Sequence, residues 1–146
     1  MNLDISLIPK GMLYKALPGL GAFLETASGY SRGRTTPDDL VGAFYSGHYQ
    51  LWVVHDADLA LYGFFATNVK EYPRKRMLCI QHCVMEPHHM ALVEPRMQEL
   101  AEKYAKDAQC HGVEFIGRPG WKRHAERYGY KASSVCYQKF FGEDTK

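Results

Sequence analysis

Residues 77–108 read MLCIQHCVM-EPHHMA-LVEPRMQELAEKYAKDA. The first nine, mostly apolar, read as a strand. From Val93 onward, Met97, Leu100, Ala101, Tyr104, Ala105 and Ala108 recur at three and four residues, the spacing of an amphipathic helix. Pro95 suits a first helical turn, which predicts a regular helix from about Val93. Residues 113–116 (VEFI) then read as a short strand. A strand, a long helix and a strand make a crossover, so the new strand should lie parallel to residues 77–85.

Working outward toward the N-terminus, residues 50–54 (QLWVV) and 59–69 read as two more strands. Asp56 and Asp58 lie in the turn between them. Gly63 inside the second suggests a bulge. The stretch 72–76 (YPRKR) is a basic turn into the third strand of a meander. Thr36 can cap a helix, with Pro37 at its first position and Asp38 and Asp39 at its positive end; Gly47 stops it. Upstream, residues 13–27 have helical spacing broken by Pro18, Gly19 and Gly21, which predicts two short pieces or a kink. Residues 28–34 read as a loop, and residues 4–8 (DISLI) alternate as a strand. Toward the C-terminus, 117–120 is a turn, 121–128 a short helix ended by Gly129, 134–141 a last strand, and 142–146 a loose tail. The reading is one α+β domain over residues 1–146, with a mixed sheet of about six strands and four helices in the order β-α-α-β-β-β-α-β-α-β.

The chain has 146 residues, 46% hydrophobic, with a formal net charge of +2. That supports a real core and gives no electrostatic footprint for nucleic acid. No run of about 18 apolar residues offers a membrane span, and no signal peptide is evident, so the expected location is the cytoplasm. Cys79, Cys83, Cys110 and Cys136 sit in apolar contexts and read as free thiols. Cys79, His82, Cys83, His88 and His89 invite a metal reading. On a regular strand, however, Cys79 and Cys83 share a face about 13 Å apart, at about 3.3 Å per residue, while His82 points the other way. No metal site is expected. Cys83 as a nucleophile lacks any visible group that would lower its pKa. The basic groups 74–76 and Arg118, Lys122 and Arg123 read as solvated turns.

The element order, with Gly117-Arg-Pro-Gly-Trp121 followed by His124-Ala-Glu-Arg-Tyr128-Gly129-Tyr130, resembles the GNAT N-acetyltransferase fold. It is similar in particular to small GNAT-like proteins encoded by tailed bacteriophages. The resemblance implies acetyl-CoA as cofactor and an amine as acceptor. It implies a slot for the pantetheine arm between the fourth and fifth strands, and a pyrophosphate loop at residues 86–91. The family pattern there is Gln/Arg-x-x-Gly-x-Gly/Ala, and only Ala91 agrees. Glu86 places a carboxylate beside phosphate, Pro87 removes an N–H donor, and His89 replaces a glycine. Counting back from Gly129, the family's acid tyrosine falls on Ala125. The catalytic candidates are His82, on the strand where a base often lies, with His124 and Tyr128. The cofactor candidates are Cys83, Val84, Met85, His89, Ala91 and Trp121. Without the usual loop and tyrosine, the alternative is an inactive GNAT-like domain kept for a protein partner, a phage virion or a host protein.

Overall fold

The structure is a computed structural model that describes residues 2–117 and 119–142. Arg118, expected in a basic cluster, and 143–146 of the expected loose tail lie outside the described residues. The chain divides into two compact units, Met1–Ile116 and Gly117–Lys146.

In the larger unit, β1 (Asp4–Ile8) leads through 3-10 turns and the single-turn α1 (Leu13–Ala16) to α2 (Gly21–Tyr30). Pro18 and Gly19 fall in the 3-10 segment Leu17–Leu20, so the predicted break is where they stand. Helix α2 runs on to Tyr30, into the residues expected to be loop. At α3 (Pro37–Tyr45), the Asp39 N–H donates to Thr36 Oγ1 (3.1 Å) and the Thr36 N–H donates to Asp39 Oδ2 (2.9 Å). Two otherwise orphaned donors are thereby satisfied. Strands β2 (Gln50–His55), β3 (Leu61–Glu71) and β4 (Arg76–Met85) follow, then α4 (Met90–Asp107) and β5 (Gly112–Phe115).

The sheet order is β1-β2-β3-β4-β5, with β4 and β5 parallel, as the crossover requires, and every other pair antiparallel. One face carries α1 to α3 over Leu20, Leu40, Phe44, Leu51, Phe64 and Val84. The other carries α4 over Trp52, Phe65, Val93 and Met97. Trp52 is core, and its indole Nε1–H donates to Thr67 Oγ1 at 2.9 Å, so its polar tip is satisfied. The bulge expected at Gly63 lies beside it, between Val54 and His55. Gly63 itself is needed for space, since a Cβ there would stand 2.3 Å from the Val84 carbonyl oxygen.

Helix α4 starts at Met90, three residues before the expected Val93, and holds Pro95 inside rather than in its first turn. Proline removes the bond to the carbonyl of Ala91. Both residues are exposed, so water can solvate that carbonyl and the helix tolerates the loss. No helix among the described residues is long and apolar enough to cross a membrane.

The smaller unit holds α5 (Lys122–Arg127) after a 3-10 turn. Gly129 (φ +86°) ends it: the Tyr130 N–H donates to the Ala125 carbonyl (3.0 Å) and the Gly129 N–H to that of Glu126 (3.1 Å). That is a Schellman ending, as the glycine predicted. The strand expected over 134–141 is not formed; residues 130–140 have no regular secondary structure. A strand exists only against a neighbour, and β-propensity alone does not supply one. The sheet therefore has five strands instead of six.

Candidate functional site

Strand β4 has two unlike halves. Met77 to Ile80 lie between β3 and β5, with Cys79 opposite Glu114. Beyond Ile80 the partner β5 has ended, and residues 82–85 pair with β3 alone among the described residues. The sheet is open along this edge, narrower than expected because Cys79 is paired.

The halves meet at a bulge. Ala66 pairs with His82 and Thr67 with Ile80, which leaves Gln81 as the extra residue. Its amide Nε2 donates to Asn68 Oδ1 at 2.8 Å. One extra residue inverts the alternation. Leu78 packs on Ala101 and Ala105 of α4. Past the bulge it is Cys83 and Met85 that join Val93 and Met97 on that side. His82 and Val84 turn to the face of α1 to α3, Val84 in its core and His82 with its ring 5.8 Å from Tyr49. Cys79, on the opposite side of the strand from Leu78, therefore shares a face with His82 and not with Cys83. This corrects the pairing that regular alternation implied. Among the described residues, no three of His, Cys, Asp and Glu come together as metal ligands would.

His82 is half-buried, and burial holds its pKa below the ordinary 6.5. A neutral imidazole at pH 7 can accept a proton. Its neighbour Tyr49, whose own pKa burial raises, also lies 4.9 Å from the His48 ring. The open half of β4 thus carries a base on one face.

The segment 86–91 then turns the chain into α4. The His89 N–H donates to the Glu86 carbonyl (3.3 Å), Pro87 follows Glu86, and His88 has φ +70°. Proline at the second position and positive φ at the third are the marks of a type II turn. The Glu86 N–H is held by the Tyr62 carbonyl at 2.8 Å. His89 folds back, its Nδ1–H donating to the Pro87 carbonyl (2.9 Å) with its ring 5.2 Å from Tyr62. Among the described residues, no backbone acceptor is seen for the N–H groups of His88, Met90 and Ala91. Two of these open α4, where the helix dipole favours an anion.

The closed half of β4 is braced differently. Tyr72 Oη donates to Glu114 Oε1 at 2.6 Å, and the Cys79 thiol donates to the same oxygen at 3.1 Å. The Tyr72 hydroxyl is pushed up to about 12, first by that hydrogen bond. Burial first, and then Glu114, push the Cys79 thiol up to about 12 as well. The carboxyl of Glu114 is held below its usual value, chiefly by Tyr72. Cys79 therefore stays a thiol and is no nucleophile. Cys83 faces Met97 Sδ at 3.9 Å inside the α4-side core.

Of the sequence candidates, the larger unit brings His82, Cys83, Val84, Met85, His89 and Ala91 to the end of β4 and the start of α4. His124, Tyr128 and Trp121 belong to the smaller unit, where the rings of Trp121 and His124 stand 5.6 Å apart. Sequence reasoning passed over Glu94, a carboxylate only 2% exposed on α4. A single glutamate between Val93 and Pro95 offers no signal that it points inward.

By sequence the chain matches no family model and no curated protein. By structure it matches several acetyltransferases across nearly its whole length. An aminoglycoside acetyltransferase from an uncultured soil metagenomic sample superposes with TM-score 0.72 at 10% identity, covering 97% of this chain and 100% of that one. A GNAT family acetyltransferase of Staphylococcus aureus gives 0.67 at 14% identity, with 97% and 100% covered. AAC(6')-Iy, solved with the bisubstrate analogue CoA-S-monomethyl-acetylneamine, gives 0.69 at 13% identity, with 96% and 99% covered. Identities this low speak to architecture alone: the chain has a GNAT-like fold.

Proposed function

We propose that this protein transfers an acetyl group from acetyl-CoA to an amine, with the cofactor laid along the open half of β4. The observation that carries this reading is that, among the described residues, 81–85 have no strand on their outer side, directly before the N-terminus of α4. A free strand edge presents alternating N–H and C=O groups, which the two amides of a pantetheine arm can match. The pyrophosphate then meets the N–H groups of Met90 and Ala91, and the exposed His88 beside them.

In this reading His82 takes a proton from the acceptor ammonium, directly or through water. The freed amine attacks the thioester carbonyl carbon, the carbon–sulfur bond breaks, and the proton that the acylated nitrogen must lose neutralises the departing coenzyme A thiolate, directly or through water. The products are the N-acetylated amine and free coenzyme A. Titration calorimetry with acetyl-CoA should give a Kd on the order of 10 µM, with matching thermal stabilisation. Absence of heat and of stabilisation at millimolar acetyl-CoA overturns the reading.

The turn at 86–89 favours a second reading. It commits two N–H groups, lacks a third at Pro87 and adds the Glu86 carboxylate, all against phosphate. A GNAT-like domain with such a loop fits a role in protein contact, as a phage virion, assembly or host-interaction protein. Function that is indifferent to His82→Ala, with no acetyl-CoA binding, selects it.

A further inference from the structure

A serine and a histidine meet on β1 and β2, with β3 between them and β4. Ser6 lies opposite Val53, two residues before His55, so Ser6 and His55 are diagonal neighbours on one face of the sheet. Both are half-buried. The His55 ring places Nε2 2.7 Å from Ser6 Oγ and Nδ1 2.9 Å from the Asp56 carbonyl oxygen. A carbonyl oxygen can only accept, so Nδ1 carries the hydrogen of the neutral ring. Nε2 is left with a lone pair, and the Ser6 hydroxyl must donate to it.

The anchor of the ring is itself held. The Asp56 carbonyl also accepts from the Leu59 N–H (3.1 Å), and Asp56 Oδ1 accepts from the N–H groups of Asp58 and Ala60 (2.9 Å each). The register shift between Val54 and His55 sets how the ring leaves β2. Across the ladder from His55 stands Asp4, whose carboxyl the Ile5 N–H chiefly holds below its usual value, with Arg96 and then His55 lowering it further. A hydroxyl bonded to the lone pair of a ring whose other nitrogen is anchored is the arrangement of a nucleophile and its general base. Among the described residues β1 pairs with β2 alone, so alternate N–H groups of β1 face away from the ladder. The Ile5 N–H, bonded to Asp4 Oδ1 at 2.7 Å, is one of them, and alternation puts the Leu7 N–H on the same side, next to Ser6.

We propose that Ser6 and His55 form a second reactive site, which cleaves small activated esters. Ser6 Oγ attacks the ester carbonyl carbon and passes its proton to His55 Nε2, while the Leu7 N–H meets the oxyanion. The bond from that carbon to the alcohol oxygen breaks, and His55 gives the proton to the departing alkoxide. Water then attacks the acyl-Ser6 ester and gives a proton to His55, which returns it to Ser6 Oγ as the carboxylic acid leaves. The Asp4 carboxylate favours the imidazolium formed in each step. The test is incubation of the full chain with a fluorophosphonate, followed by peptide mapping by mass spectrometry. Ser6 Oγ should displace fluoride and carry the label. Ser6→Ala should lose the label and hydrolyse p-nitrophenyl acetate no faster than buffer. His55→Gln, whose amide oxygen can accept the Ser6 hydrogen bond but cannot take its proton, should slow labelling about 100-fold. Both variants should keep the far-ultraviolet spectrum of the wild type. A chain that takes no label, one labelled only elsewhere, or a His55→Gln chain labelled at the wild-type rate overturns the proposal, since the pair then serves only to tie β1 to β2.

Discussion

The two halves of β4 share a strand and differ in almost everything else. Residues 77–80 are held by ladders on both sides, by Leu78 under α4, and by the Tyr72–Glu114–Cys79 bonds. Residues 82–85 follow a bulge, pair on one side only among the described residues, and carry a histidine whose burial keeps it neutral. The first half spends its hydrogen bonds on the fold and the second keeps some in reserve. A single extra residue, Gln81, separates a structural segment from one that can serve a ligand, because it changes which side chains face which layer.

Substitutions should divide the same way. Leu78→Ala in the closed half removes a fully buried side chain and should cost about 3 kcal/mol, measured by denaturant unfolding, with acetyl-CoA affinity per folded molecule unchanged. His82→Gln in the open half should lower turnover about 100-fold, equivalent to about 2.7 kcal/mol in the barrier, with little change in stability at pH 7. The same variant has a pH signature. The folded pKa of His82 is depressed, so its contribution to stability is present above about 6.5 and is lost as pH falls toward the folded value. Melting temperature should therefore drop below that pH in the wild type, and less so in His82→Gln. Tyr72→Phe removes one bond to Glu114 and should lower the melting temperature only slightly, without touching catalysis. Glu86→Gln removes a carboxylate from beside the α4 N-terminus and should tighten acetyl-CoA about threefold, seen by calorimetry, with stability unmoved.

Much of the architecture was legible in the sequence because it depends on local signals. The stripe from Val93 to Ala108, the Thr36 cap, the Pro18–Gly19 break and the Gly129 ending each act within a few residues, and each stands where it was expected. The early start of α4 was not legible, since tolerance of Pro95 depends on the exposure of the Ala91 carbonyl. The sides taken by Cys79, His82 and Cys83 were hidden for a different reason. A bulge is a property of two strands, and nothing in QHC announces that Ala66 will pair with His82 and Thr67 with Ile80. The same limit applies to 134–141, whose alternation is strand-like but which pairs with no strand among the described residues. The turn at 86–89 was legible only in part: Glu86, Pro87 and His89 signalled a departure, but the fold-back of His89 onto the Pro87 carbonyl required coordinates.

Amide hydrogen exchange along β4, with and without saturating acetyl-CoA, tests the division most directly. Ligand should slow exchange at residues 81–85 and at Met90 and Ala91, and leave residues 76–80 as they were. Unchanged exchange at 81–85 in the presence of millimolar acetyl-CoA would contradict the assignment of the open half as the cofactor slot.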